Sequence, residues 1–200
     1  MHRLCEIFPW LGDEKIERLV AYADLLREWN AKINLISRRD TENIAMRHII
    51  PCLAIDAVAG FLPGDDVLDI GTGGGLPGIP LAIARESTNF TLLDSIGKKI
   101  VAVNDMVSRL GMKNAKTING RAEEVCGKFD AVVGRAVTNF ASFLKYARRL
   151  LADGGKILYL KGGDCAEDIA TLEKYRLHSV GKIIGIDALA DKVILEVRKL

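Results

Sequence analysis

Nowhere in this 200-residue chain do the roughly 20 consecutive apolar residues of a membrane span occur, although 49% of its residues are hydrophobic. Its first residues also lack a basic segment followed by an apolar run, so no export signal is expected. Cysteine is scarce and scattered. Cys5, Cys52, Cys126 and Cys165 form no C-x-x-C pair, which argues against a zinc site and suits a reducing, cytoplasmic setting. All four are expected to be small buried hydrophobes. The three histidines stand far apart, so neither a metal cluster nor a catalytic triad is expected. Internal repeats and low-complexity segments are lacking too. Net charge is only +2 and by itself excludes nothing.

What is present is unevenly distributed. Residues 61–96 carry 1 basic and 5 acidic groups, whereas residues 97–200 carry 19 and 12. Lys98-Lys99 and the group Lys145, Arg148 and Arg149 concentrate the positive charge. Such a distribution is compatible with a phosphate-bearing partner; solvated helix faces would read the same way. Chain length allows one domain with a small appendage.

Glycine is concentrated at one place. Val67-Leu68-Asp69-Ile70-Gly71-Thr72-Gly73-Gly74-Gly75-Leu76-Pro77-Gly78 reads as a strand ending in an acid, a turn with few side chains, and a helix opened by proline. Glycine tolerates positive φ and lets a ligand approach the main chain. Gly73 to Gly78 fits the dinucleotide pattern G-x-G-x-x-G. Gly71 to Gly75 fits G-x-G-x-G with an acid two residues earlier, which resembles motif I of Rossmann-like S-adenosylmethionine methyltransferases. Asp69 favours the second register, because a carboxylate repels a pyrophosphate but not a sulfonium with an α-amino group. A nicotinamide oxidoreductase and a non-enzymatic nucleotide-binding module are the rival classes. Calorimetry with S-adenosylmethionine and with NAD separates them.

Upstream of this loop the first 60 residues read as helical. An amphipathic helix spans residues 14–30 with Asp13 as its cap; a second runs from Asp40 or Thr41 through Met46, and a third from Pro51 through Ala59. Downstream, strands at Val67–Ile70, Phe90–Leu93, Lys116–Ile118, Ala131–Val133 and Ile157–Leu160 alternate with helices at Pro77–Arg85, Gly97–Leu110, Asn139–Leu151 and Asp164–Lys174. This alternation predicts an α/β fold with a parallel sheet. Val180–Ile186 and Val193–Lys199 read as a closing antiparallel hairpin. The division expected is a helical part over 1–60 and a Rossmann-like domain over 61–200.

Several side chains stand where chemistry belongs. Asp94 ends the second strand, 19 residues after Gly75, near the offset of the acid that grips ribose hydroxyls. Asp94-Ser95 also suits a cap for the helix at Gly97, and the two roles are compatible. Ala122 and Glu123 follow the third strand, beside the expected adenine. Arg135 and Lys161 end the fourth and fifth strands, where ligands of open α/β sheets bind. No Asp/Asn-Pro-Pro-aromatic tetrad and no cysteine nucleophile follow the fourth strand, which disfavours exocyclic amine and pyrimidine C5 methylation.

Taken in order, these motifs resemble the GidB/RsmG methyltransferases. Asp69-Ile-Gly-Thr-Gly-Gly-Gly-Leu-Pro-Gly-Ile-Pro-Leu-Ala82 carries most of the likeness. Tyr22-Ala-Asp-Leu-Leu-Arg-Glu-Trp29-Asn30 with Asn34-Leu35, Arg47-His48, Phe90 to Ser95 with Gly97-Lys98-Lys99, Arg121 to Glu124, Arg135-Ala136 and Leu160-Lys161-Gly162 follow in the family's order. The resemblance implies a Rossmann-like class I methyltransferase of seven strands with a helical extension. It implies S-adenosyl-L-methionine as cofactor and N7 of one guanine in 16S rRNA (the 530 loop) as target. Small ribosomal subunits or their precursors are the expected partner, of a metal-free, cytoplasmic monomer. It puts cofactor contacts at Gly71, Leu76, Ala122, Glu123 and Arg135; with the residues read from the motifs themselves, the expected cofactor set is Asp69, Gly71, Gly73, Gly75, Leu76, Asp94, Ser95, Ala122, Glu123 and Arg135, and substrate contacts are expected at Asn34, Arg47, His48, Arg135 and Lys161. Arg135 and Lys161 are the expected catalytic pair. For Arg47 and His48 a bridging role between the helices and the sheet is the other reading. The family more often has serine where this chain has Gly134, and Asn-Leu-Thr where it has Asn34-Leu35-Ile36. Another RNA, a protein or a small molecule is the alternative acceptor. Guanine N7 carries a lone pair and no proton, so neither a base nor a nucleophile is required, and orientation can carry catalysis.

Overall fold

The computed structural model describes residues 2–136, 139–163, 165–170 and 172–198, with the backbone alone for His2 and Arg3. Its helices are α1 (His2–Ile7), α2 (Gly12–Lys32), α3 (Ile50–Ala59), α4 (Gly78–Ala84), α5 (Gly97–Arg109), α6 (Phe140–Leu150), α7 (Ala166–Ile169) and α8 (Val180–Ile184). Its strands are β1 (Asp66–Ile70), β2 (Asn89–Asp94), β3 (Ala115–Asn119), β4 (Phe129–Arg135), β5 (Leu151–Gly162), β6 (Arg176–Ser179) and β7 (Lys192–Arg198). They form one sheet in the order β3-β2-β1-β4-β5-β7-β6. The first five in that order are parallel, and β7 runs antiparallel to both neighbours. β1 and β4 lie side by side at the point where the strand order reverses, which is where open α/β sheets hold ligands.

Parallel strands covered on both faces are apolar through their middles, and β1 and β4 follow this except for the buried Asp69. Val67, Leu68, Ala131, Val132 and Val133 are all fully buried. One hydrophobic cluster joins Leu19 and Leu26 of α2 and Leu53 of α3 to Ile79 of α4 and Phe90 of β2. The N-terminal helices thus share a core with one face of the sheet. A second cluster on the other face gathers Leu68, Phe143, Leu150 and Tyr159. Among the described residues no helix is long and apolar enough to cross a membrane.

Several expected elements differ from those observed. Asp13 lies inside the first turn of α2, whose cap position is Leu11. The second helix is replaced by a 3-10 turn at Arg38–Asn43 and a π-helix at Ala45–Ile49. Of the helix expected at Asp164–Lys174, only Ala166–Ile169 is helical among the described residues, since Cys165, Ala170 and Leu172–Lys174 are not; Asp164 and Thr171 lie outside the described residues. Val180–Ile184 is helical rather than extended, and β6 precedes it, so a helix separates the two final strands. Ser179 caps α8 by accepting from the Lys182 amide at 3.4 Å, and Gly185 ends it in the left-handed conformation. Cys52 is buried, but Cys5 and Cys165 are half-buried and Cys126 is exposed. Buried small hydrophobe therefore describes only one of the four.

Candidate active site

Asp69 organises the glycine loop from below. It is wholly buried, and its Oδ2 accepts from Thr72 Oγ1 at 2.7 Å and from the Gly78 amide at 2.9 Å. Oδ1 has no hydrogen-bond partner among the described residues. Burial outweighs the two bonds and pushes the carboxyl up to about 7. The acid thus ties the two ends of the loop together instead of lining a cavity. Gly78 has to be glycine, since a Cβ there would fall 2.1 Å from Leu92 and 2.8 Å from Asp69 Oδ2. Gly74 meets the N-terminal helices: its carbonyl accepts from the buried Tyr22 hydroxyl at 2.8 Å.

A cavity of about 350 Å³ opens at the ends of β1, β2 and β3. Gly71, Asp94, Ser95, Ala122 and Glu123 line it together, as the sequence predicts. The Asp94 carboxylate accepts from the Gly73 amide at 3.0 Å and from the Ile96 amide at 2.9 Å. It thereby braces the loop and the start of α5 while bordering the cavity. Glu123 accepts from the Tyr146 hydroxyl at 2.6 Å, which holds its carboxyl below the usual range. Tyr146, Asn139 and Ser142 of the α6 region complete the wall, and no local signal marks them. Arg149, expected in a solvent-facing basic cluster, instead donates to the carbonyls of Ala122, Glu123 and Val125 at 2.6–3.2 Å. It thereby braces the segment that carries Ala122 and Glu123, without lining the cavity itself. Gly73, Gly75 and Leu76 do not line it; Gly75 sits against Ile79, and Leu76 is buried in the core.

A larger cavity of about 660 Å³ lies beyond the first turn of α6, between residues 35–51 and the ends of β4 and β5. Arg47, His48, Arg135 and Lys161 all line it. Arg135, expected at the cofactor as well, is on this side and not in the lining of the smaller cavity. Asn34 is exposed and outside the lining, although Leu35 and Ile36 belong to it. The π-helix delivers Arg47 and His48; such wide turns re-aim side chains at functional sites. Arg135 Nη1 donates to His48 Nδ1 at 2.9 Å. Burial, reinforced by the Arg135 charge, pushes the imidazole down to about 4 and keeps it neutral. Lys161 is ion-paired with Asp168, which raises its pKa. Asp40 and Lys192 also line this cavity and were missed: the first reads as a helix cap, the second as an ordinary strand-edge lysine. Gly134 leaves no space for a serine, because a Cβ would stand 2.5 Å from the Phe143 ring.

Known proteins resemble this chain in sequence and in fold. A "Ribosomal RNA small subunit methyltransferase G" of Chlorobium luteolum is 48% identical over 161 residues, covering 80% of this chain and 68% of that protein. One of Christiangramia forsetii is 41% identical over 198 residues, covering 96% and 94%. Among solved structures, a SAM-dependent methyltransferase from Aquifex aeolicus superposes with a TM-score of 0.64 at 15% identity, over 79% of this chain and 94% of that one. TrmN from Thermus thermophilus gives 0.61 at 17%, over 78% and 51%. These likenesses establish the fold. S-adenosylmethionine is the cofactor of this fold and family, and the smaller cavity fits it. Gly71, at φ +74°, bares main chain there, Asp94 offers a carboxylate to ribose hydroxyls, and Ala122 offers an apolar face to adenine. The model of the family described as GidB, rRNA small subunit methyltransferase G, matches residues 15–190, and this chain belongs to that family.

Proposed function

We propose that this protein transfers the methyl group of S-adenosylmethionine to N7 of a guanine in 16S rRNA, in the small subunit or its assembly precursor. One observation carries the choice of atom: the histidine of the larger cavity is unfit to be a base. Its Nδ1 lone pair is taken by Arg135, which can only donate, so Nε2 carries the ring proton. Lys161 engages Asp168 in the same cavity. Such a site suits an acceptor with a free lone pair and no proton to lose, and guanine N7 is one.

The bound cofactor supplies an electrophilic methyl group on a sulfonium. Asp94, Ala122 and Glu123 hold its nucleoside end. Arg135 stands at the end of β4, in the lining of the larger cavity, and orients what enters it. Lys161 and Lys192 face the nucleotide, and the exposed Arg47 takes backbone phosphate at the rim. Residues 1–60 act as the substrate-side part and 61–200 as the methyltransferase domain. Catalysis then rests on proximity and orientation, which in favourable geometry supply up to about 7–11 kcal/mol.

The test is labelled methyl transfer to small subunits from a strain lacking the gene, followed by mapping with chemistry that cleaves RNA at N7-methylguanosine. One labelled, cleavable guanosine is the expected result. Label at any other atom, or none in the RNA, refutes the reading.

A further inference from the structure

The larger cavity holds two carboxylates, and they differ. Asp168 is taken by Lys161. Asp40 accepts no hydrogen bond from the described residues, and its one ion-pair contact is with His48 Nε2 at 3.5 Å. That separation is too long for a hydrogen bond. His48 is only 8% exposed, and its Nε2 has no hydrogen-bond partner among the described residues. Because Arg135 fixes Nδ1 as the acceptor, Nε2 presents its proton toward Asp40. Arg135, His48 and Asp40 thus form a line of polar contacts that ends in a partly exposed carboxylate facing the cavity. Arg47, Arg135, Lys161 and Lys192 line the same cavity, yet none is ion-paired with Asp40.

A free carboxylate in a cavity for RNA repels phosphate, so a donor-rich ligand group has to offset it. We propose that Asp40 reads the Watson–Crick edge of the target guanine, accepting from N1–H and from the 2-amino group. Guanine presents two adjacent donors on that edge. Adenine and cytosine present a ring acceptor beside their amine, and uracil flanks its one N–H with carbonyls. A carboxylate matches only the first pattern with two parallel bonds. In a helix that edge is engaged in pairing, so the contact selects an unpaired or flipped-out base. N7 lies on the opposite side of the purine and stays free. Leu35, Ile36, Pro51 and Phe140 give the ring apolar walls. N7 methylation also leaves the base cationic, and a carboxylate on its far edge stabilises that charge without removing a proton. This inference rests on the guanine reading above.

The experiment is a double-mutant cycle between protein and RNA. Single-turnover rates are measured on small subunits reconstituted with 16S rRNA carrying guanosine or inosine at the mapped position; inosine lacks the 2-amino group. Wild type is expected to prefer guanosine by about tenfold, the weight of one charge-assisted bond. Asp40→Asn is expected to lose about ten- to hundredfold on guanosine, as for a broken bidentate base contact. Its preference for guanosine should vanish, with cofactor affinity and melting temperature unchanged. Asp40→Ala, on an exposed 3-10 turn, is the second variant and should show the same loss of preference. A guanosine-to-inosine ratio equal in wild type and both variants overturns the inference alone. Absence of transfer by wild type to guanosine overturns the functional reading as well.

Discussion

Asp69 and His48 are buried ionisable groups whose pKa values are displaced in opposite senses. Asp69 titrates at about 7 in the folded chain, above its ordinary 3.8. The folded state therefore holds the extra proton, and the stability this group contributes is full below about pH 4 and lost as pH rises through about 7. His48 titrates at about 4, below its ordinary 6.5. Its contribution is full above about pH 6.5 and is lost as pH falls toward 4. Between those limits the two oppose each other, so the informative quantity is a difference. Asp69→Asn cannot titrate. From pH 5 to 8, wild type should lose stability relative to Asp69→Asn, on the order of 1–3 kcal/mol or several degrees in melting temperature. A difference that does not vary with pH would show that the carboxyl titrates normally. Sequence spacing identified Asp69 as special but pointed it at the ligand. Only the fold shows it turned inward, where Thr72 and the Gly78 amide take one oxygen.

Elements meet here through single close contacts. The Tyr22 hydroxyl fastens α2 to the Gly74 carbonyl across 52 residues of sequence. Tyr22→Phe leaves that carbonyl without its donor and should cost about 1–3 kcal/mol in thermal unfolding. Cofactor affinity should fall with it, because the same bond fixes the loop; unchanged calorimetric affinity would separate the helix from the loop. β4 and α6 meet where Gly134 faces Phe143, with 2.5 Å between a would-be Cβ and the ring. Gly134→Ser should destabilise by about 1–3 kcal/mol through overpacking. Combined with Phe143→Leu it should cost less than the sum of the two single changes, and strict additivity would disprove the contact. At this scale the central strands and α5 were legible, since their period and caps are local. Val180–Ile184 was not. Its residues suit a strand, but the Ser179 cap, the left-handed Gly185 and the full burial of Val180 make it a helix.

Across the whole molecule, positive charge lines the larger cavity, through Arg47, Arg135, Lys161 and Lys192, as well as the exposed clusters that sequence counting marked. In the clusters that sequence counting singled out, Arg149 stays exposed while donating to three carbonyls, and Lys99 sits 3.8 Å from Asp94. Arg38 and Arg39 are exposed on the turn that carries Asp40. Each is expected to neutralise one phosphate. Replacing either with alanine should weaken binding of the RNA and lower the slope of log affinity against log salt by roughly 0.7–0.9. Cofactor affinity should not change. Titrations at several salt concentrations test this, and an unaltered slope would place the RNA elsewhere.

The sequence by itself determined the cofactor class, the family and the order of the motifs. Those properties reside in a short run of residues whose backbone needs are local: glycines that bare the main chain, an acid at a strand end, a proline at a helix start. Tertiary structure decided which of the residues share a cavity. It brought Gly71, Asp94, Ala122 and Glu123 together, placed Arg135 in the larger cavity, and left Asn34 outside both linings. It also joined Asp40 and His48 to Arg135, from positions some 90 residues apart in the chain. Contacts across that span depend on how helices dock against a sheet, and no periodicity in the sequence encodes them.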